Sequence, residues 1–271
     1  MFKAEERGTG EDWAEKISCE LAARLGLPHV HYDLAEESID GTPGVVCASI
    51  ATGDRQLVLG NQLLLDRDTN YPMEDVRHYK VRAHTVDAVA NVLNGLEPPT
   101  SEWTSNLPDG IVTALDCYLG YVMLDALVAN QDRHHENWGA LRVETVLRLA
   151  PSFDHGASLA RNLSDAERKS RLDSTDRGFQ VPTFAQRARS AFYENDTATR
   201  AMGTLAAWQA FAQRSLVAAT AWKQRLASID AATINTLLQE IPPNRLSVIG
   251  QRFTAALLLE NQRRIVAGEP T

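Results

Sequence analysis

Residues 130–138 read NQDRHHENW, and residues 153–156 read FDHG. Asp132 and Asn137 stand five apart, and Asp154 follows seventeen residues after Asn137. The segments WGALRV and VLRLA between them, with Glu144–Thr145 near the turn, predict a β-hairpin. A hairpin returns the chain to its starting end. Asn137 and Asp154 then flank two strands about 5 Å apart and can reach one ion. An amide oxygen and a carboxylate are hard ligands that suit Mg²⁺, which keeps waters and takes further ligands from phosphates. Asp132 is left to orient and deprotonate a hydroxyl. Two other readings stand beside this one. Asp132 fits an ordinary turn residue, and Asp132, His134, Asp154 and His155 offer donors for zinc, without a paired-histidine helix motif.

The first reading matches the division of labour in protein kinases, where an Asp and an Asn five residues on precede an Asp before Gly. Here the order is N-Q-D-R-H-H-E-N, then F-D-H-G; the spacing is kept and the residues before Asp132 differ. Lys3, at what reads as a strand end, and Glu15, on the first helix, supply the pair that sets a lysine on the ATP phosphates. The plain alternatives are a flexible terminal cation and a solvated helix charge.

These residues need elements to hold them. EDWAEKISCELAARLG (11–26) has Trp13, Ile17, Leu21 and Leu25 at helical spacing and Gly26 as a stop. HVHYDL (29–34), GVVCASIA (44–51) and RQLVLG (55–60) read as strands of one small sheet beside that helix. His29 and His31, on the first of these strands, have no assigned role. Residues 81–96 have helical periodicity, and an apolar helix runs from Asp109 to Asn130, ending where the polar motif begins. From 160 to about 182 the chain reads as irregular. Helices follow near 183–194, 201–227, 231–239 and 243–267, with Trp208, Phe211 and Trp222 as core contacts. The sum is a small mixed front part and a larger helical back part.

The chain has 271 residues, 44% hydrophobic and 23% charged, with net charge −8. The acidic balance argues against direct nucleic-acid binding. Cys19, Cys47 and Cys117 are scattered singly, which argues against a disulfide framework or a zinc finger and fits buried thiols of a reducing compartment. No signal peptide or membrane span is visible, so the cytoplasm is the expected location.

LDALVANQDRHHENWG followed by LAPSFDHGASL resembles the HipA-like kinases, bacterial serine/threonine kinases of toxin–antitoxin type; EDWAEKISCELAARLGLP and IPPNRLSVIGQRFTAALLLENQRR resemble that family's helix-glutamate segment and its end. The resemblance implies an α+β, two-lobed protein-kinase-like fold. A truncated small β-containing N-lobe would span 1–66 and a mostly helical C-lobe 67–271. It implies Asp132 as catalytic base, His134 as a histidine of the same loop, Asn137 and Asp154 as magnesium ligands, and Lys3 with Glu15 at ATP. It also implies ATP and Mg²⁺ as cofactors, a protein hydroxyl as acceptor and an antitoxin partner. One departure is that no glycine-rich phosphate loop precedes Lys3, and Gly8-Thr9-Gly10 is too short to replace it. The missing strands are then encoded upstream, supplied by a separate N-terminal subdomain partner, or lost in an impaired pseudokinase that binds nucleotide or a partner. A metal-dependent hydrolase is the remaining alternative.

Overall fold

The structure, a computed structural model, describes residues 1–5, 8–72 and 80–269. The front part is a three-stranded antiparallel sheet of β1 (Phe2–Ala4), β2 (Tyr32–Glu36) and β3 (Pro43–Cys47) in the order β1-β3-β2, with α1 (Glu11–Leu25) against one face. Lys3 pairs with Val45 across the sheet, so both side chains face α1. Trp13, Ile17, Leu21 and Leu25 are buried as the spacing predicts, and Gly26 closes the helix in the left-handed conformation.

β4 (Gln56–Leu59) corrects the single-sheet expectation for residues 1–60. It pairs antiparallel with β5 (Gly139–Val143), which pairs with β6 (Val146–Leu149) in a second sheet. Gln56–Leu59 thus belongs with the predicted hairpin, which forms as expected around Glu144–Thr145. The strand stretches are also shorter than predicted: residue 29 makes an isolated bridge, and β3 stops at Cys47.

α2 (Gly60–Arg67), α3 (Val86–Leu93) and α4 (Ser101–Thr104) lead to α5 (Ala114–Val128). Residues 73–79, between α2 and α3, lie outside the described residues. α5 starts later than Asp109 because Thr113 and Asp116 form a capping box at its N-terminus. It is buried all round, and Tyr118, Leu119, Tyr121 and Met123 form the centre of the main core.

The back part adds α6 (Asp165–Asp173), α7 (Val181–Gln186), α8 (Thr204–Ala212), α9 (Leu216–Ala227), α10 (Ala231–Gln239) and α11 (Val248–Ala267). α6 falls in the stretch read as irregular; its start is set by a Ser164–Glu167 capping box, which an S-x-x-E pattern announces. The helix read over 201–227 is two helices, because the Ser215 side chain caps a new start. α7 is earlier and shorter than 183–194. Trp208, Phe211 and Trp222 are core residues as expected. Among the described residues no helix is long and apolar enough to cross a membrane.

Candidate active site

α5 ends at Ala129 in the left-handed conformation (φ 54°), and the chain turns out of the core into 130–138. The loop is held by a buried hub that the sequence reading missed. Arg133, 1% exposed, makes a two-pronged ion pair with Asp125 on α5, Nε to Oδ2 and Nη2 to Oδ1, each at 2.8 Å. Its Nη1 donates to the Asn137 carbonyl at 2.8 Å and Nη2 to Ser152 Oγ at 3.0 Å. Asn130 Nδ2 donates to Asp125 Oδ1 at 2.8 Å, and Asn130 Oδ1 accepts from the Asp132 backbone N–H at 3.1 Å. One guanidinium thus ties the end of α5, the 132–137 loop and the segment after β6. The signal was an aspartate inside an otherwise apolar helix, which has to find a partner.

α2 supports the loop from the other side. The backbone N–H groups of Gly60 and Asn61, which a helix start leaves without partners, donate to the carbonyls of Trp138 and His135 at 2.8 and 2.7 Å. Gly60 is required by this close approach, since a Cβ there would lie 2.3 Å from the Trp138 ring and 2.7 Å from the His135 carbonyl. Tyr71 OH bonds His135 Nδ1 at 2.9 Å.

Asn137 Nδ2 donates to the Asp132 carbonyl at 2.7 Å, which fixes the amide and leaves Oδ1 as its open acceptor. Asp154 sits at φ 57°, a strained conformation for a non-glycine residue and one that clusters at functional sites. Its carboxylate takes the Lys3 ammonium at 2.6 Å, and Lys3 lies 4.0 Å from Glu15 Oε2. Lys3 and Glu15 are therefore neither a loose terminal cation nor a solvated charge. Glu15 is 1% exposed, and its Oε1 accepts the His155 backbone N–H at 2.7 Å. Glu15 Oε2 is buried without a hydrogen bond.

The charges set one another. Burial, with the Asp154 charge adding, pushes the Asp132 carboxyl above the usual aspartate range; His134, Lys3 and Arg161 pull against this. Burial would raise Asp154 too, but the Lys3 charge and hydrogen bond outweigh it and hold that carboxyl low. Lys3 is itself raised: burial works against its charge, and Asp154 outweighs that. His134 Nδ1 accepts the Glu136 backbone N–H at 3.1 Å, and its Nε2 lies 3.8 Å from Asp132 Oδ1.

Lys3 on β1 and Glu15 on α1 converge with the distant Asp154, and Asp132, His134 and Asn137 share one loop fixed to the same hub. Asn137 Oδ1 and the Asp154 carboxylate are the hard oxygens that Mg²⁺ takes, so these residues fit that ion. The zinc alternative does not assemble. Among the described residues, no group of three metal-ligating side chains includes His134 or His155. His155 is buried, with Nε2 on Ser152 Oγ at 2.7 Å.

No protein-family model matches the chain, and no curated protein matches it. Solved structures do. The Helicobacter pylori proinflammatory kinase CtkA superposes with a TM-score of 0.72 at 18% identity, over 98% of this chain and 84% of that one. A chain of the Shewanella oneidensis MR-1 toxin–antitoxin complex of HipA, HipB and operator DNA gives 0.57 at 14% identity, over 100% of this chain. This chain spans 60% of that longer one. The fold is the α+β, two-lobed kinase-like fold of these proteins.

Proposed function

We propose, on a fold shared with CtkA and the HipA complex, that this chain is an ATP- and Mg²⁺-dependent serine/threonine protein kinase. The observation that carries the reading is the Lys3–Asp154–Glu15 cluster, in which two residues of the N-terminal stretch meet one about 140 to 150 positions away, at 2.6 and 4.0 Å from Lys3, beside the Asp132 loop. Asn137 and Asp154 would hold Mg²⁺, which supplies positive charge against the phosphate oxygens. Asp132 orients the acceptor hydroxyl and takes its proton; a carboxyl raised above its usual range is a better base at neutral pH. Lys3 now neutralises Asp154. It also lies 4.0 Å from the buried Glu15 Oε2, which has no hydrogen bond, and would meet the nucleotide phosphates with its charge steadied from that side. His134 braces the loop through Glu136.

The acceptor is a protein hydroxyl, and a protein partner of antitoxin type, or a separate N-terminal subdomain, fits the relation to the HipA–HipB complex. The acidic net charge of −8 speaks for protein contacts over direct nucleic-acid contact, and the cytoplasm is the setting. We place the lobe division in the connection between β3 and β4 rather than at residue 66, because β4 pairs with the hairpin.

A second reading, a nucleotide- or partner-binding module without catalysis, is favoured by one observation. The gap bounded by Lys3, Glu11, Glu15 and Val45 has no room for even a water molecule, against the ~300–1,000 Å³ of small-molecule sites. Titration calorimetry with Mg·ATP separates the two. Saturable binding by the native chain, lost in Asp154→Ala and kept in Asp132→Asn while phosphoryl transfer disappears, supports the kinase. Binding without transfer by the native chain supports the second reading, and no binding by a folded native chain overturns both nucleotide readings.

A further inference from the structure

Cys19 lies on α1 one turn beyond Glu15, and His29 and His31 flank the buried Val30 just before β2. Alternation along an extended segment puts both imidazoles on the side opposite Val30. One donor atom from each of Cys19, His29 and His31 lies within 4.8 Å of the other two. Cys19 Sγ and His31 Nδ1 are 3.7 Å apart. Bond lengths of about 2.3 Å to sulfur and 2.0–2.1 Å to nitrogen at a tetrahedral angle give an edge of about 3.6 Å. The outer atoms are oriented as they are around bound metals. His29 Nδ1 meets the Leu27 carbonyl at 2.7 Å; that oxygen only accepts, so Nδ1 carries the proton and Nε2 keeps its lone pair. His31 Nε2 faces the Asp33 carboxylate at 3.2 Å, leaving Nδ1 toward the thiol. The Tyr32 backbone N–H donates to Cys19 Sγ at 3.3 Å.

We infer that Cys19, His29 and His31 form a transition-metal site, of the kind that takes Zn²⁺, at the β2 edge of the front sheet. Two imidazoles and a thiolate select a borderline-soft ion and disfavour Mg²⁺. The site is thus chemically separate from the oxygen ligands Asn137 and Asp154. The His31 side chain is 62% exposed, so the fourth position opens to water. Burial lowers the His29 pKa, which favours the neutral form that a ligand needs. It also raises the Cys19 thiol to about 11; coordination displaces that proton to solvent. Lys16, Glu20 and Asp33 lie around the site, with Glu15 and His155 on its inner side; Lys16 pairs with Glu20 at 2.8 Å and with Asp33 at 2.9 Å. A bound ion would clip α1, which carries Glu15, to the segment that bridges Ser152.

Titrating the metal-stripped full chain with Co²⁺ tests this, because a thiolate ligand gives a charge-transfer band that an oxygen site does not. One Co²⁺ per chain with that band, displaced by Zn²⁺, is expected. Cys19→Ser should abolish the band and Cys47→Ser should keep it. The exposed substitution His31→Gln should weaken binding about a hundredfold, and Asp33→Asn about tenfold. If Cys19→Ser does not fold, these two variants decide. No band in the native chain, a band surviving Cys19→Ser, or affinity unchanged in His31→Gln overturns the site. Mg·ATP binding is read separately, so either assignment can fail alone.

Discussion

Arg133 is the residue on which the candidate site hangs. Its guanidinium is almost wholly buried, and the Asp125 charge keeps it protonated despite the desolvation. Replacing one partner leaves the other charge buried alone, which costs about 3–5 kcal/mol. Arg133→Met should therefore lower stability by that amount in denaturant titration. Asp125→Leu combined with Arg133→Met should recover part of the loss, since a matched apolar pair leaves no orphan charge. A double variant no better than the sum of the singles would count against the pair as the source. The side chains that meet at the candidate site were legible in the sequence. The D-x₄-N spacing, the FDHG segment, Lys3 and Glu15 all fall in one region. Arg133 was not legible, because a charged residue in a polar motif looks solvated until the fold shows that it points inward.

At the scale of elements, α1, the hairpin and α10 were legible, because periodicity and turn chemistry agree there with the packing. Three errors have local causes. β4 reads as a front-sheet strand, yet alternation says nothing about which partner a strand will pair with. α6 carries a clear capping signal on a nearly wholly polar stretch with one buried residue, Arg168, so no apolar period marks it. The break between α8 and α9 is set by one serine cap inside a continuous helical pattern. The hairpin turn also holds an improvable residue. Glu144 has φ 55°, a position glycine fills without steric cost. Left-handed geometry costs an ordinary residue about 1–2 kcal/mol, and glycine's extra chain entropy returns about 0.5–1 kcal/mol of that. Glu144→Gly should raise stability by roughly 0.5–1 kcal/mol with Mg·ATP binding unchanged; a lower melting temperature would refute the strain.

At the scale of the whole molecule, contacts of long range join the parts. Arg245, before α11, reaches Asp12 on α1 at 2.5 Å and Glu36 on β2 at 3.0 Å. His84, 1% exposed, accepts from Trp138 Nε1 at 3.2 Å, donates from Nδ1 to the Ala191 carbonyl at 3.1 Å and stacks on Phe192. Burial, with the nearby His135, His134 and Arg133, lowers its pKa to about 3. The unfolded chain takes up that proton near pH 6.5, so acidification favours unfolding. Stability falls by about 1.4 kcal/mol per pH unit from there toward pH 3. The native chain should lose stability between pH 6.5 and 5 more steeply than His84→Gln by about one proton; equal slopes would remove His84 as the cause. The Arg133 hub carries one more consequence, in time rather than energy. It bonds both to the 132–137 loop and to the segment after β6, so neither opens while the other stays closed. Amide hydrogen exchange should therefore report these two segments as one cooperative unit, released together and more slowly than the surface helix α6. Separate exchange rates for the two would show that the hub does not couple them.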